Sequence, residues 1–169
     1  LPNEVYTTDA YEVIYDKDAD IIVELIGGIN PAYEYIKAAL NNKKHVVTAN
    51  KALIATHGEE LESLAAKHGV KLMYEASVGG GIPILNTIRD NLSANEFESV
   101  FGIINGTTNY ILTQMAEYGL EYDLAVKEAQ RLGFAEADPS SDVDGDDAAY
   151  KLSILSTLAF EQRINVRDI

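Results

Sequence analysis

Apolar positions along the chain change period several times, and each change predicts an element. Ile21-Ile22-Val23 and Leu25-Ile26 flank a single acid, Glu24, and end at Gly27-Gly28. A β-branched run this short reads as a buried strand over Ile21 to Ile26. Pro31 then opens a helical spacing of Ala32, Tyr35, Ile36, Ala39 and Leu40, closed by Asn41-Asn42. His45-Val46-Val47-Thr48 predicts a second strand. Asn50 is placed to cap a helix opening at Lys51, marked by Leu61, Leu64 and Ala65 and stopped by Gly69. Val70 to Tyr74 predicts a third strand. Strand, helix, strand, helix, strand at this pitch predicts a parallel α/β sheet.

After Glu75 the pattern changes. Val78-Gly79-Gly80-Gly81-Ile82-Pro83 reads as a glycine-rich turn and Ile84 to Leu92 as a helix. Glu96 to Ile104 alternates loosely, as a long strand would, and ends in the polar turn Asn105-Gly106-Thr107-Thr108-Asn109. Helices are expected over Tyr110 to Glu117 and Tyr122 to Leu132, the second stopped by Gly133. An acidic loop, Glu136 to Asp146, leads to a last helix from Asp146 to Phe160. A parallel half followed by a mixed half predicts two subdomains, residues 1–74 and 75–169.

Composition narrows the chemistry. The chain has 169 residues, 47% of them apolar, which suits one ordinary domain with a real core. With no cysteine, disulfide scaffolds, cysteine-based zinc sites and thiol nucleophiles are ruled out. Thirteen Lys and Arg against 27 Asp and Glu give a net charge of −14, which argues against nucleic-acid and anionic-membrane partners. No apolar run approaches the roughly 18 residues of a membrane span. The start, Leu1-Pro2-Asn3-Glu4, does not resemble a signal peptide and lacks an initiator Met, as an internal piece of a larger protein would.

The densest chemistry lies between Gly133 and Leu152. Six acids fall between Glu136 and Asp147, and Lys151 closes the run. Asp147 and Lys151, four apart on a helix, share one face with the acid N-terminal, beside an apolar stripe of Ala148, Leu152, Leu155 and Ala159. Burial lowers a lysine pKa and a carboxylate raises it, the balance a proton-transferring lysine needs. The plainer alternative is a solvated helix pair worth a few tenths of a kcal/mol. A calcium loop laid over Ser140, Asp142, Asp144 and Gly145 fails, because Lys151 falls where a bidentate Glu is required. Gly79-Gly80-Gly81 either presents backbone groups to a ligand or is a structural turn. Thr48-Ala49-Asn50-Lys51 and Gly27-Gly28 end their strands on one sheet edge, the edge where open parallel sheets bind ligands.

Taken together these strings resemble homoserine dehydrogenase. The matching pieces are Ile22 to Gly28, Val47 to Ala55, Tyr74 to Pro83, Gly102 to Tyr110 and Gly133 to Leu152, in the family's order. The resemblance implies a truncated Rossmann-like parallel sheet followed by an α+β substrate and catalytic domain. It implies NAD(P)-dependent interconversion of L-aspartate 4-semialdehyde and L-homoserine, toward threonine, methionine and isoleucine, in a cytoplasmic homodimer. Residue by residue, Lys151 matches the catalytic proton donor. Asp147 and Glu136 match carboxylates that hold the substrate, with Asp142 in support. Lys51, Gly27 and Gly133 match positions at the cofactor. Glu75, Val78, Gly80 and Ile82 match a monovalent-cation site, generally sodium, built mostly of backbone oxygens.

The pattern departs from the family in one respect. No G-x-G-x-x-G turn precedes Ile21, so the resemblance begins partway through the nucleotide-binding domain, and the family continues past Ile169. The expectation is an internal segment with the substrate site and half a cofactor site, inactive by itself. Two other readings stand beside it: another NAD(P)-dependent oxidoreductase of similar build, and a non-catalytic dimerisation or regulatory module.

Overall fold

The computed structural model describes residues 6–169. Three short parallel strands, β1 (Ile21–Glu24), β2 (His45–Thr48) and β3 (Leu72–Met73), lie in sequence order, with Ile22 opposite Val46 and Val46 opposite Leu72. The alternation of a strand places Ile22, Glu24, Val46 and Thr48 on the covered face. Ile21, Val23 and Val47 point to the other face, where they remain exposed.

Two helices supply the cover. α2 (Ala32–Asn41) buries Ala32, Ile36, Ala39 and Leu40, the stripe its 3.6-residue spacing dictates. α3 (Lys51–His68) is capped by Asn50, whose side-chain oxygen accepts from the Leu53 N–H at 3.1 Å, and it buries Leu53, Ile54, Leu61 and Ala65. Gly69 ends it at φ 69°, a conformation that favours glycine. A helix that the periodicity did not anticipate, α1 (Ala10–Tyr15), is capped by Asp9 and inserts Ile14 into the same core.

Departures from expectation begin in the sheet and grow in the second half. The first strand stops at Glu24 rather than Ile26, and the third shrinks to two residues. The helix expected over Ile84 to Leu92 is one α-helical turn, α4 (Ile84–Asn86), continued by a π-helical turn at Thr87–Asn91. Residues 96–104 form no strand. Phe97, Val100 and Ile104 do pack inward, but no strand among the described residues lies alongside to complete a ladder, and Phe101 is 91% exposed. α5 (Gly106–Tyr118) begins four residues earlier than expected because Asn105 caps it. α6 (Tyr122–Leu132) ends at Gly133 as expected. The acidic stretch is not all loop: it holds a short helix, α7 (Ser140–Val143), before α8 (Asp146–Ala159), which stops one residue short of Phe160.

α8 packs on α3, so Ile154, Leu155 and Ala159 join the core beneath the sheet, and one hydrophobic core spans both halves of the chain. Ile111, Ala125, Ala129 and Ala135 form a smaller cluster between α5 and α6. This packing sets the first turn of α8 against the first turn of α3, at the carboxyl edge of the sheet. No described helix is long and apolar enough to cross a membrane.

Candidate active site

Asp147 is the centre of the site. It stands in the first turn of α8, 4% exposed, where the helix dipole favours a negative charge. Lys151, one turn on, donates from Nζ to Asp147 Oδ2 at 2.7 Å and to the Ile104 carbonyl at 2.9 Å. Lys51, the first residue of α3, reaches Asp147 Oδ1 at 3.1 Å. Each carboxylate oxygen therefore faces one ammonium, and the two ammoniums come from opposite halves of the chain. Burial alone would raise the Asp147 carboxyl. Hydrogen bonds from Lys151, Asn105 and Lys51 outweigh it and hold the group below its ordinary value.

The second carboxylate joins through a neutral bridge. The Asn105 side-chain amide donates to Asp142 Oδ1 at 2.8 Å and to Asp147 Oδ2 at 2.9 Å. Thr107 Oγ1 lies 2.9 Å from Asp142 Oδ2 and 2.7 Å from the Phe134 carbonyl, which draws the Gly133 turn to the same place. Lys151 is only 19% exposed, and an ammonium has three N–H donors. Among the described residues two are spent, on Asp147 and Ile104, which leaves one for a ligand.

The sheet edge carries its own network. Glu24, 4% exposed, accepts from the Ile26 and Gly27 N–H groups at 2.7 and 3.2 Å and from Thr48 Oγ1 at 2.6 Å. The Thr48 hydroxyl in turn accepts from the Asn50 N–H, and the Asn50 amide donates to the Gly28 carbonyl at 2.5 Å. The ends of β1 and β2 are thereby tied together at the point where Lys51 leaves the sheet. Gly27 and Gly28, at φ 80° and 68°, make the turn that this tie requires.

Of the residues singled out from the sequence, Lys151, Asp147, Asp142 and Lys51 converge in one cluster. Gly133 lies at its rim through Phe134, and Gly27 sits on the adjoining edge. Glu136 stands apart: its side chain is exposed, with no partner among the described residues. Glu75 spends its carboxylate on α4, accepting from the Leu85 and Asn86 N–H groups at 2.9 and 2.8 Å. Each of its two oxygens keeps a lone pair beyond those bonds, and main-chain oxygens lie beside it. The carbonyls of Val78 and Gly80 accept no hydrogen bond from a described residue, and the Ile82 carbonyl accepts from Ile84. A cavity of about 440 Å³ separates this turn from the cluster, lined by Val78, Ile82, Ile103, Asn105, Asn109 and Leu155. A larger one, about 720 Å³, lies along Ala148 and Leu152 and leaves Lys151 out of its walls. Glu24 was not foreseen, and Asn105, Thr107 and Thr48 lay in strings read as a polar turn and a sheet edge, without a site role of their own.

A parallel sheet whose carboxyl edge faces a lysine–carboxylate cluster defines the class: an α/β protein of the nucleotide-binding kind. Comparison with known families agrees and sharpens it. Residues 1–75 match the family described as homoserine dehydrogenase, NAD binding domain, and residues 83–169 match homoserine dehydrogenase. The chain belongs to the homoserine dehydrogenase family. It is 50% identical over all 169 residues to homoserine dehydrogenase of Bacillus subtilis, covering 39% of that protein. A crystal structure of a homoserine dehydrogenase from Thiobacillus denitrificans superposes with a TM-score of 0.92 at 50% identity, over 95% of this chain and 37% of that one. A hyperthermophilic archaeal homoserine dehydrogenase in complex with NADPH gives 0.85 at 34% identity, over 97% and 53%. The chain thus spans about two-fifths of the length of the curated relatives it matches.

Proposed function

We propose that the protein containing this chain catalyses the NAD(P)-dependent interconversion of L-aspartate 4-semialdehyde and L-homoserine, a step toward threonine, methionine and isoleucine. One observation carries the reading: a half-buried ammonium, Lys151, is anchored by Asp147 and the Ile104 carbonyl with one N–H unspent. Reduction of an aldehyde builds negative charge on its oxygen, and a fixed ammonium stabilises that charge more in the transition state than in the ground state. The bound nicotinamide supplies the hydride. Lys151 gives its proton to the substrate oxygen, and Asp147 holds the amine in place for this transfer.

The substrate carries an ammonium of its own, and Glu136 receives it, with Asp142 of the same acidic stretch in support. An exposed Glu136 suits a group that finds its partner only when the substrate is bound. Lys51, Gly27 and Gly133 border the cofactor; the first two lie on the carboxyl edge of the sheet, where such folds hold dinucleotides. The Glu75, Val78, Gly80 and Ile82 carbonyls hold a monovalent cation such as sodium. The carbonyls of Val78 and Gly80, which accept no hydrogen bond from a described residue, support this, because a hard cation seeks oxygen ligands of that kind. In this reading residues 1–74 serve the cofactor and 75–169 the substrate, and the enzyme works as a cytoplasmic homodimer.

The test is turnover by the full-length protein across a panel of small aldehydes, followed at the reduced-nicotinamide absorbance. Preferred reduction of L-aspartate 4-semialdehyde is the expected result. Preference for an aldehyde lacking the amino group would contradict it.

A further inference from the structure

Asn105 occupies an unusual position between two carboxylates. Its side chain makes four hydrogen bonds, and all have identifiable partners. Oδ1 accepts from the Thr108 N–H and from Thr108 Oγ1, both at 2.8 Å, which caps α5. Nδ2 spends one hydrogen on Asp142 and the other on Asp147. The cap fixes which end of the amide is oxygen, so the NH₂ cannot turn away from the acids. The residue is 8% exposed, and the main chain immediately before it supplies the Ile104 carbonyl that receives Lys151.

The two acids are not equivalent. Asp147 bears both ammoniums, whereas Asp142 forms no ion pair among the described residues and is held by Asn105 and Thr107 alone. Asn105 is thus the direct tie between a carboxylate that carries cations and one that does not. On Asp147 it shares Oδ2 with Lys151, so it fixes the rotamer in which that oxygen faces the lysine.

We propose that Asn105 is a positioning residue of the reaction. Its pinned amide orients Asp147, and through it the Lys151 amine, while keeping Asp142 at a set separation. The inference rests on the reading of Lys151 given above. It adds that the aim of the amine is governed from the turn before α5 as well as from its own helix.

Two substitutions separate aim from folding, since Ser and Asp are both good helix N-caps. Asn105→Ser keeps a capping oxygen and removes both amide donors, leaving one short hydroxyl that cannot bridge the two acids. Asn105→Asp keeps the shape and places a third carboxylate against Asp142 of α7, Asp147 and Lys151 of α8, and the nearby Lys51 of α3. Both are to be made in the full-length enzyme, beside wild type and Lys151→Ala. The expected result is kcat lowered roughly ten- to a hundred-fold in each variant, the scale of a misplaced catalytic group. The KM for the dinucleotide should stay close to wild type, and the melting temperature should fall by less than about 8 °C in at least one of the two. In Asn105→Asp the acid limb of the pH–rate profile should also move to higher pH, because added negative charge favours a proton on Asp147.

A kcat within twofold of wild type in both folded variants, with Lys151→Ala inactive, would overturn the role of Asn105 and leave the reading of Lys151 intact. Loss of melting temperature by more than about 8 °C in both would show a purely structural residue and overturn it too. An active Lys151→Ala enzyme would sink the reading of Lys151 and the inference with it.

Discussion

At the scale of single residues, the site depends on how the buried Asp147 carboxylate is compensated. A buried carboxylate is costly unless ions and donors compensate it, and here two lysines and an amide do so. Its proton affinity is lowered by folding, so its contribution is fully present above the ordinary carboxylate value of 3.8 and is lost as pH falls through the lower value of the folded state. Asp147→Asn removes the charge and leaves Lys51 and Lys151 facing one another without an anion. We expect a loss of about 3 kcal/mol at neutral pH, by urea unfolding. The gap to wild type should close as pH drops below about 4; a gap that stays constant to pH 2 would contradict the pairing. The Asp147–Lys151 contact was legible in the sequence because four-residue spacing fixes neighbours on a helix. The Lys51 contact was not, since it depends on how α3 and α8 pack. Asn105 could have been suspected as a cap from the Asn-Gly-Thr-Thr string, but its carboxylate partners lie 37 and 42 residues away.

At the scale of elements, short parallel strands gain their order from what ties their ends. Glu24 and Thr48 are paired in the strand register and bonded through their side chains, and Asn50 extends the tie to the glycine turn and the start of α3. Glu24→Leu is nearly the same size but leaves the Thr48 hydroxyl and two N–H groups without an acceptor. It should destabilise the fold by roughly 2–3 kcal/mol and loosen Lys51; a melting temperature within 2 °C of wild type would count against the network. Asn50→Ala, which removes the cap of α3, should cost about 1 kcal/mol. The sheet half was readable because its apolar runs are bounded by Gly, Pro and Asn. Residues 96–104 misled because alternation reports which side chains point inward, whereas a strand also needs a neighbour to bond with. α7 was hidden by acids that read as loop until their Pro139 start and Asp142 place near the cluster are known.

At the scale of the whole molecule, a parallel sheet is normally covered on both faces. Here one face leaves Ile21 and Val23 more than half exposed, and Phe101 and Ile103 stand out elsewhere at 91% and 79%. Exposed apolar side chains on an uncovered sheet face favour association. The 169-residue chain in isolation should bind a hydrophobic dye and elute at a concentration-dependent size on gel filtration; a sharp monomer peak without dye binding would contradict the exposure. The common core under α3 and α8 also means that the Lys51 and Lys151 sides of the cluster unfold together. The sharpest test of the proposed role of the amine is Lys151→Ala in the full-length protein, measured as aldehyde-dependent loss of reduced-nicotinamide absorbance alongside cofactor affinity. Turnover at least a thousand-fold below wild type with cofactor affinity within about twofold is the predicted result. Turnover that survives the loss of the amine would contradict it.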